Sequence, residues 1–170
     1  MNDASHRSRR WGWIAHEAGA SATEFALVLP LLALLLFGFV EVGRLIWSYS
    51  IVNASVRSAA RYAARLSMDC SSFTDAASPG NIQRLTRTGT IVTGGTPLLP
   101  NWTSDSTVTI TIGCVDNSSA TYAGLYSGVS QIPTVTVTAQ APYTSELTTL
   151  LPALNLSTIT ATHSEAWTQQ

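Results

Sequence analysis

The stretch Gly19-Ala20-Ser21-Ala22-Thr23-Glu24-Phe25 introduces the part of the chain that decides its fold, because small residues and one carboxylate stand directly before an apolar run. The run extends from Phe25 to Val40. Sixteen helical residues span about 24 Å, slightly less than the ~30 Å hydrocarbon core of a bilayer. Pro30 would kink or loosen this helix, which membranes tolerate when neighbouring groups satisfy the freed carbonyl. The sequence therefore predicts one membrane-spanning helix at residues 25–40.

Glu24 stands at the edge of this run and needs a cationic partner. A charged side chain loses hydration in the membrane, at a cost of about 2.5–3.5 kcal/mol at the centre of a span and less near the interface. The candidate partner is a free amino terminus, which a cut after Gly19 would create at Ala20. Glu24 would then be the fifth residue of the shortened chain, and the amine could belong to the same chain or to a neighbour.

These residues resemble type IV prepilins, in which a short basic leader ends in Gly and a Glu stands at the fifth mature position. The closer resemblance is to the TadE/TadG-like minor pseudopilins of tight-adherence (Flp) pilus systems, which share a small residue, Glu-Phe, Ala-Leu, Pro-Leu-Leu pattern. The matching stretch here is Ala22-Thr23-Glu24-Phe25-Ala26-Leu27-Val28-Leu29-Pro30-Leu31-Leu32. Residues 38–44 and 59–65 look like later helical positions of the family, so the resemblance covers about residues 19–66.

The chain departs from the major Flp pilins in two ways. Phe25 stands where those subunits carry Tyr, and at 170 residues the chain is far longer than they are. The resemblance therefore points to a minor component of the pilus rather than to its major subunit.

The resemblance implies an α+β, pilin-like fold in which a long N-terminal membrane-spanning helix packs against a small antiparallel sheet. It implies a prepilin peptidase that cuts between Gly19 and Ala20, and a role for Glu24 and Phe25 in setting the register of one helix against the next. The implied partners are the membrane, the peptidase, other pilins or pseudopilins and the pilus assembly platform. The implied location is the bacterial inner membrane.

The predicted organisation has three parts: a basic leader at 1–19, a long helix at 20–67 and an extracytoplasmic β-rich domain at 68–170. Arg7, Arg9 and Arg10 precede the apolar run, which favours a cytoplasmic N-terminus because Lys and Arg near a span remain inside. The C-terminal domain would then be periplasmic or extracellular.

Three arginines follow the span at intervals of four, at Arg57, Arg61 and Arg65. Residues four apart share a helix face, so these side chains form a cationic stripe beside a face of small residues. Two interpretations stay open. The stripe is either a solvated surface or a contact with another subunit.

Composition limits the classes of function. Charged residues make up 11% of the chain, there is no Lys, and the net charge of -1 gives no support for nucleic-acid binding. Cys70 and Cys114 are the chain's two cysteines, and an exported location would let them pair, although two unpaired buried thiols are the alternative. The scattered histidines and the glycines lack metal-ligand or phosphate-loop spacing, so we expect no enzyme activity, cofactor or small-molecule substrate.

The C-terminal part contains three candidate strands. Polar and apolar residues alternate at 107–112 and 134–138, and less regularly at 156–164, with Val108, Ile110 and Ile112 expected to face inward. A short helix is expected around 82–85. Leu147, Leu150 and Leu151 could pack on the sheet end or on the outer leaflet of the membrane.

His163, Ser164 and Glu165 are adjacent, but strand neighbours alternate faces and so could not form a catalytic triad alone.

Two other classes of protein stay open from the sequence. One is an unprocessed signal-anchored envelope protein with an extracytoplasmic β-domain that binds something else. The other is a secreted protein with an ordinary signal peptide, although Glu41 and Arg44 follow the apolar run where a small-residue cleavage site would be needed. The position of cleavage separates the three.

Overall fold

The structure is a computed structural model that describes residues 14–122, 124–145 and 156–168. It divides the chain into two compact units, Met1–Val42 and Gly43–Gln170. The predicted leader residues 1–13, with Arg7, Arg9 and Arg10, lie outside the described residues, as do Leu147, Leu150 and Leu151.

The described elements confirm the predicted α+β class. The helices are α1 (Ile14–Ala63) and α2 (Ser78–Thr88), and the strands are β1 (Val108–Asp116), β2 (Gln131–Pro142) and β3 (Thr158–Ala166). The strands form one antiparallel sheet in the order β1-β2-β3. Strand β2 contains the whole predicted stretch at 134–138, whereas β1 begins one residue after the start of the stretch at 107–112 and β3 two residues after the start of the stretch at 156–164.

The two faces of the sheet differ because side chains alternate along each strand. Val135, Val137 and Ala139 of β2 are buried on the core face. The opposite face carries rows of hydroxyl side chains: Thr136 bonds to Ser164 at 2.7 Å and Thr138 to Thr162 at 3.0 Å. The sheet is thus half-buried, as the alternating pattern predicts.

The part of α1 that belongs to the second unit supplies the other half of the core. Its buried apolar residues are small or β-branched, and together with Ala64 just after the helix they form one cluster with β2 and β3: Val52, Val56, Ala59, Ala60 and Ala63. Small side chains let a helix lie close to a sheet. The predicted packing of the helix on the sheet is therefore present in this unit.

The helix ends at Ala63, four residues before the predicted boundary at Ser67. The chain tightens there through three-residue turns, with Arg65 N bonded to Tyr62 O and Leu66 N to Ala63 O. The residues after β3 then satisfy carbonyls at this end, since Thr168 N donates to Ala64 O at 3.0 Å and the Trp167 indole donates to Leu66 O at 3.1 Å. These partners are about a hundred residues away in the sequence.

Helix α2 is longer than the predicted turn at 82–85. Pro79 stands in its first turn, and Gly89 ends it in the left-handed conformation with φ of 74°. Gln83 donates to Val108 O at 3.1 Å, and Arg87 pairs with Asp105 at 2.7 Å. The first contact fixes α2 beside β1, and the second ties it to the turn just before that strand.

A disulfide joins Cys70 to Cys114, with 5.4 Å between the two Cα atoms. The pairing allowed by the sequence is therefore present. It ties the loop after α1 to β1. Within that loop, Met68 and Phe73 form an isolated bridge. Of the three residues expected to face inward, Val108 is buried, whereas Ile110 and Ile112 are only half-buried at the edge of the core.

Candidate functional site

The segment of α1 from residue 21 to residue 42 exposes apolar side chains on all sides. Leu34, Leu35, Leu36 and Phe37 are consecutive and all exposed, and four successive residues point in every direction around a helix. A helix that is apolar all round is normally surrounded by lipid or by other protein. No large apolar side chain between positions 21 and 42, all of which the structure describes, is buried.

This segment also satisfies the length and composition of a membrane span. The described residues contain one helix long and apolar enough to cross a membrane, within Ser21–Ala63. Pro30 lies inside this helix, as predicted, and α1 continues through it. The predicted span from Phe25 to Val40 falls within the exposed segment.

The predicted processing residues lie near the N-terminal end of α1. Gly19 is exposed, and a methyl group added to it would meet no atom within 4 Å. Because Gly19 and Ala20 are helical in a helix that begins at Ile14, cleavage between them would require the first turns to unwind. Helix ends open at low cost, so this position is more accessible than one in the middle of the helix.

Glu24 lies just over one turn beyond Gly19 and is exposed. Phe25, beside it, is 61% exposed. An exposed carboxylate directly before an exposed apolar segment is the arrangement that needs a cation once lipid or another helix covers the segment.

Arg57 and Arg61 of the cationic stripe lie on the exposed side of α1 in the second unit, and Arg65, also exposed, lies in the turn directly after the helix. The buried residues Val56 and Ala60 lie on the opposite side. No ion pair involves the three guanidinium groups among the described residues. Like charges four apart repel by a few tenths of a kcal/mol per pair, so an acidic partner would be favourable here.

Asp69 organises the turn at residues 69–72, which contains the disulfide-bonded Cys70. Its carboxylate accepts hydrogen bonds from Ser71 N, Ser71 Oγ and Ser72 N, each at 2.7 Å. These donors, the Ser71 hydroxyl foremost, hold the pKa of Asp69 below its usual value because they stabilise the charged form. Asp69 therefore has a structural role in this loop.

The side chains considered for catalysis do not converge on one site. His163 and Glu165 share a face of β3 and bond at 2.9 Å, whereas Ser164 lies on the other face and bonds to Thr136. Across the described ranges, no group of three His, Cys, Asp or Glu side chains could hold a metal ion. Neighbouring residues of β3 thus alternate between the two faces of the sheet, as the argument against a triad expected.

Asn117 is a residue that sequence reasoning missed. Its buried amide donates to the carbonyls of Tyr122, Tyr126 and Val129, and its Oδ1 accepts from Tyr122 N at 2.8 Å. One side chain thus holds the loop between β1 and β2 together. The Asp-Asn-Ser-Ser stretch at 116–119 signals a turn, but not a loop closed by one central amide.

The comparisons with known proteins concern the N-terminal helix. Residues 19–61 match the family model described as TadE-like protein. The match begins at Gly19 and includes Glu24, the exposed apolar segment and two of the three stripe arginines. The predicted resemblance is confirmed over these residues, which make up about a quarter of the chain. No curated protein and no solved structure matches the chain.

Proposed function

We propose that this chain is a minor pseudopilin that takes part in assembly of a tight-adherence pilus and is anchored in the inner membrane by α1. The observation that carries the proposal is the position of the TadE-like match. It begins at Gly19, includes Glu24 and continues through the exposed apolar residues that start at Phe25. A helix that only anchored a domain would not require a Gly and a Glu five residues apart at its start.

Processing would supply the cationic partner that Glu24 needs in lipid. A prepilin peptidase would cut between Gly19 and Ala20, leaving an ammonium group at the new N-terminus. Pairing of that group with Glu24 of a neighbouring subunit would offset the cost of a buried carboxylate and set the axial register of the two helices.

The rest of the chain would act outside the cytoplasm. With the N-terminus inside, the disulfide-bonded unit would lie in an oxidising compartment, where disulfides form and persist. The stripe of Arg57, Arg61 and Arg65 would then contact an acidic surface of another pilin, another pseudopilin or the assembly platform. We propose no enzymatic activity for the chain.

Processing can be tested by co-expressing the full chain with and without a prepilin peptidase and determining its intact mass and N-terminal sequence. We expect a start at Ala20 only with the peptidase, and none from a Gly19→Ala variant. The matched control is Gly38→Ala, because an added methyl group meets no atom within 4 Å at either glycine. A chain that still starts at Met1 beside an active peptidase would contradict the proposal and favour the unprocessed signal anchor.

Glu24 can be tested separately from cleavage. A Glu24→Gln variant keeps the size and polarity of the side chain but cannot pair with an ammonium group. We expect it to be cleaved and yet to lose chemical crosslinks to other pilins in the membrane. Crosslinking at the wild-type level would show that the Glu24 charge has no part in assembly.

A further inference from the structure

The apolar surface of α1 does not end at Val40. Ile46, Trp47 and Tyr49 are 63%, 60% and 50% exposed, although they belong to the second unit. Leu45 packs against the core and Ser48 is buried on the other side of the same turns. Over residues 45–49, the helix therefore has one face in the protein core and one aromatic face outside it.

The chemistry of this outer face fits the boundary between lipid and water. Trp and Tyr concentrate at membrane interfaces, where the ring contacts acyl chains and the polar atom reaches headgroups or water. Within the described residues, the Trp47 indole and the Tyr49 hydroxyl make no hydrogen bond to protein. Their polar atoms are thus available to a headgroup.

The length of the span favours the same boundary. A transmembrane helix needs about 20 predominantly apolar residues, and residues 25–40 supply only sixteen. Ending the hydrocarbon region at Ile46 extends the span to 22 residues. It also places Trp47 and Tyr49 directly at its exported edge.

The charged residues in the added part do not oppose this boundary. Glu41 and Arg44 would lie in the last turns before the interface, where a charge costs less than at the centre of the bilayer. The long Arg side chain can extend its guanidinium group toward the headgroups. The next charged residue along α1 is Arg57, two turns beyond Tyr49.

We infer that Ile46, Trp47 and Tyr49 form a membrane-interface anchor, so that the second unit rests on the phospholipid headgroups of the exported leaflet. The hydrocarbon region then extends six residues, or about 9 Å of helix, beyond Val40. This inference rests on the membrane anchoring in the proposed function and is independent of cleavage after Gly19.

Site-directed spin labelling of the full chain in phosphatidylcholine nanodiscs tests the anchor. The two native cysteines are bonded to each other, so an introduced cysteine is the free thiol that takes the label. Labels at Gly43 and Ile46 report on residues 41–46, which the anchor places in the hydrocarbon region. Leu35 serves as the lipid control and the exposed Ala54 as the aqueous control. Each site is probed for collisions with oxygen, which enters lipid, and with a water-soluble nickel chelate.

We expect Gly43 and Ile46 to resemble Leu35, and a Trp47→Ser, Tyr49→Ser variant to move the Ile46 label toward the Ala54 value. Lipid exposure at Leu35 with aqueous exposure at Gly43 and Ile46 would overturn the anchor but keep the membrane helix. Low access of both reagents at Ile46, with spin–spin broadening, would overturn it in favour of contact with a second copy. An aqueous Leu35 would overturn both the anchor and the membrane anchoring on which it rests.

Discussion

Helix α1 is apolar on both sides of residue 43, but its side chains have different surroundings. Before that position Leu27 is 81% exposed, and no large apolar side chain from 21 to 42 is buried. After it, Val52 and Val56 are fully buried in a core shared with the sheet. The same secondary structure thus serves two purposes: before residue 43 bulky Leu, Phe and Val side chains are exposed, whereas after it small Ala and Val side chains face the sheet.

Truncating a large side chain in each region should give the largest contrast. Trp102 is fully buried and its indole donates to Thr107 Oγ1 at 2.8 Å, so Trp102→Ala should destabilise the second unit by about 3–5 kcal/mol. Phe37→Ala, at an exposed site, should change the same transition by less than about 0.5 kcal/mol. Urea unfolding of the detergent-solubilised chain, followed by near-UV circular dichroism, measures both. Equal effects would remove the distinction between the regions.

The disulfide should stabilise only the second unit. Its 44-residue separation corresponds to about 4 kcal/mol in the chain-entropy estimate. In a Cys70→Ala, Cys114→Ala variant, the free energy of unfolding in urea should be lower by nearly that amount. The variant should no longer respond to reductant. Its extraction from membranes by detergent should stay unchanged. Loss of membrane retention in this variant would contradict the separation of roles.

A buried and an exposed alanine on α1 offer a finer test. Ala60 is fully buried against the sheet, whereas Ala54 is exposed on the same helix. Ala60→Leu should cost about 1–3 kcal/mol, because added methylenes must displace a close-packed neighbour. Ala54→Leu should stay within about 0.5 kcal/mol of wild type. Thermal or urea unfolding compares the two, and similar values would mean that the helix does not need small residues on that face.

The smallest expected effect concerns pH. The pKa of Asp69 is lowered in the folded chain, so its stabilising contribution is present above the unfolded value of about 3.9 and is lost as pH falls through the lower folded value. Asp69→Asn should therefore be less stable than wild type at neutral pH, and the difference should shrink as pH falls below about 4. Urea unfolding at several pH values would show this. Ser71→Ala should weaken the same pH dependence, and a pH-independent difference would contradict it.

The sequence was most informative where one physical rule acts along the chain. The apolar run predicted the exposed helix, and the alternation at 107–112 and 134–138 predicted two strands. The short helix expected at 82–85 lies within α2, which begins at Ser78 and ends at Thr88. In each case the signal lies in neighbouring residues, so no knowledge of the rest of the fold was needed.

Long-range partners set what the sequence did not predict. Helix α1 ends at Ala63 with its carbonyls satisfied by Thr168 and Trp167, and the loop after β1 is held by the amide of Asn117. At the candidate site, spacing indicated Gly19, Glu24 and the arginine stripe. It did not show that Trp47 and Tyr49 stay exposed while Val52 is buried, because that depends on where the sheet covers the helix.

The most direct test of the two surroundings of α1 is photolabelling from within the bilayer. The chain is reconstituted with a phospholipid that carries a photoactivatable carbene precursor on its acyl chain, and the labelled residues are mapped by mass spectrometry. We predict labels between residues 21 and 49 and none on the core or the sheet at residues 52–142 and 158–166. Labels across the sheet, or an unlabelled segment at 25–40, would contradict the account.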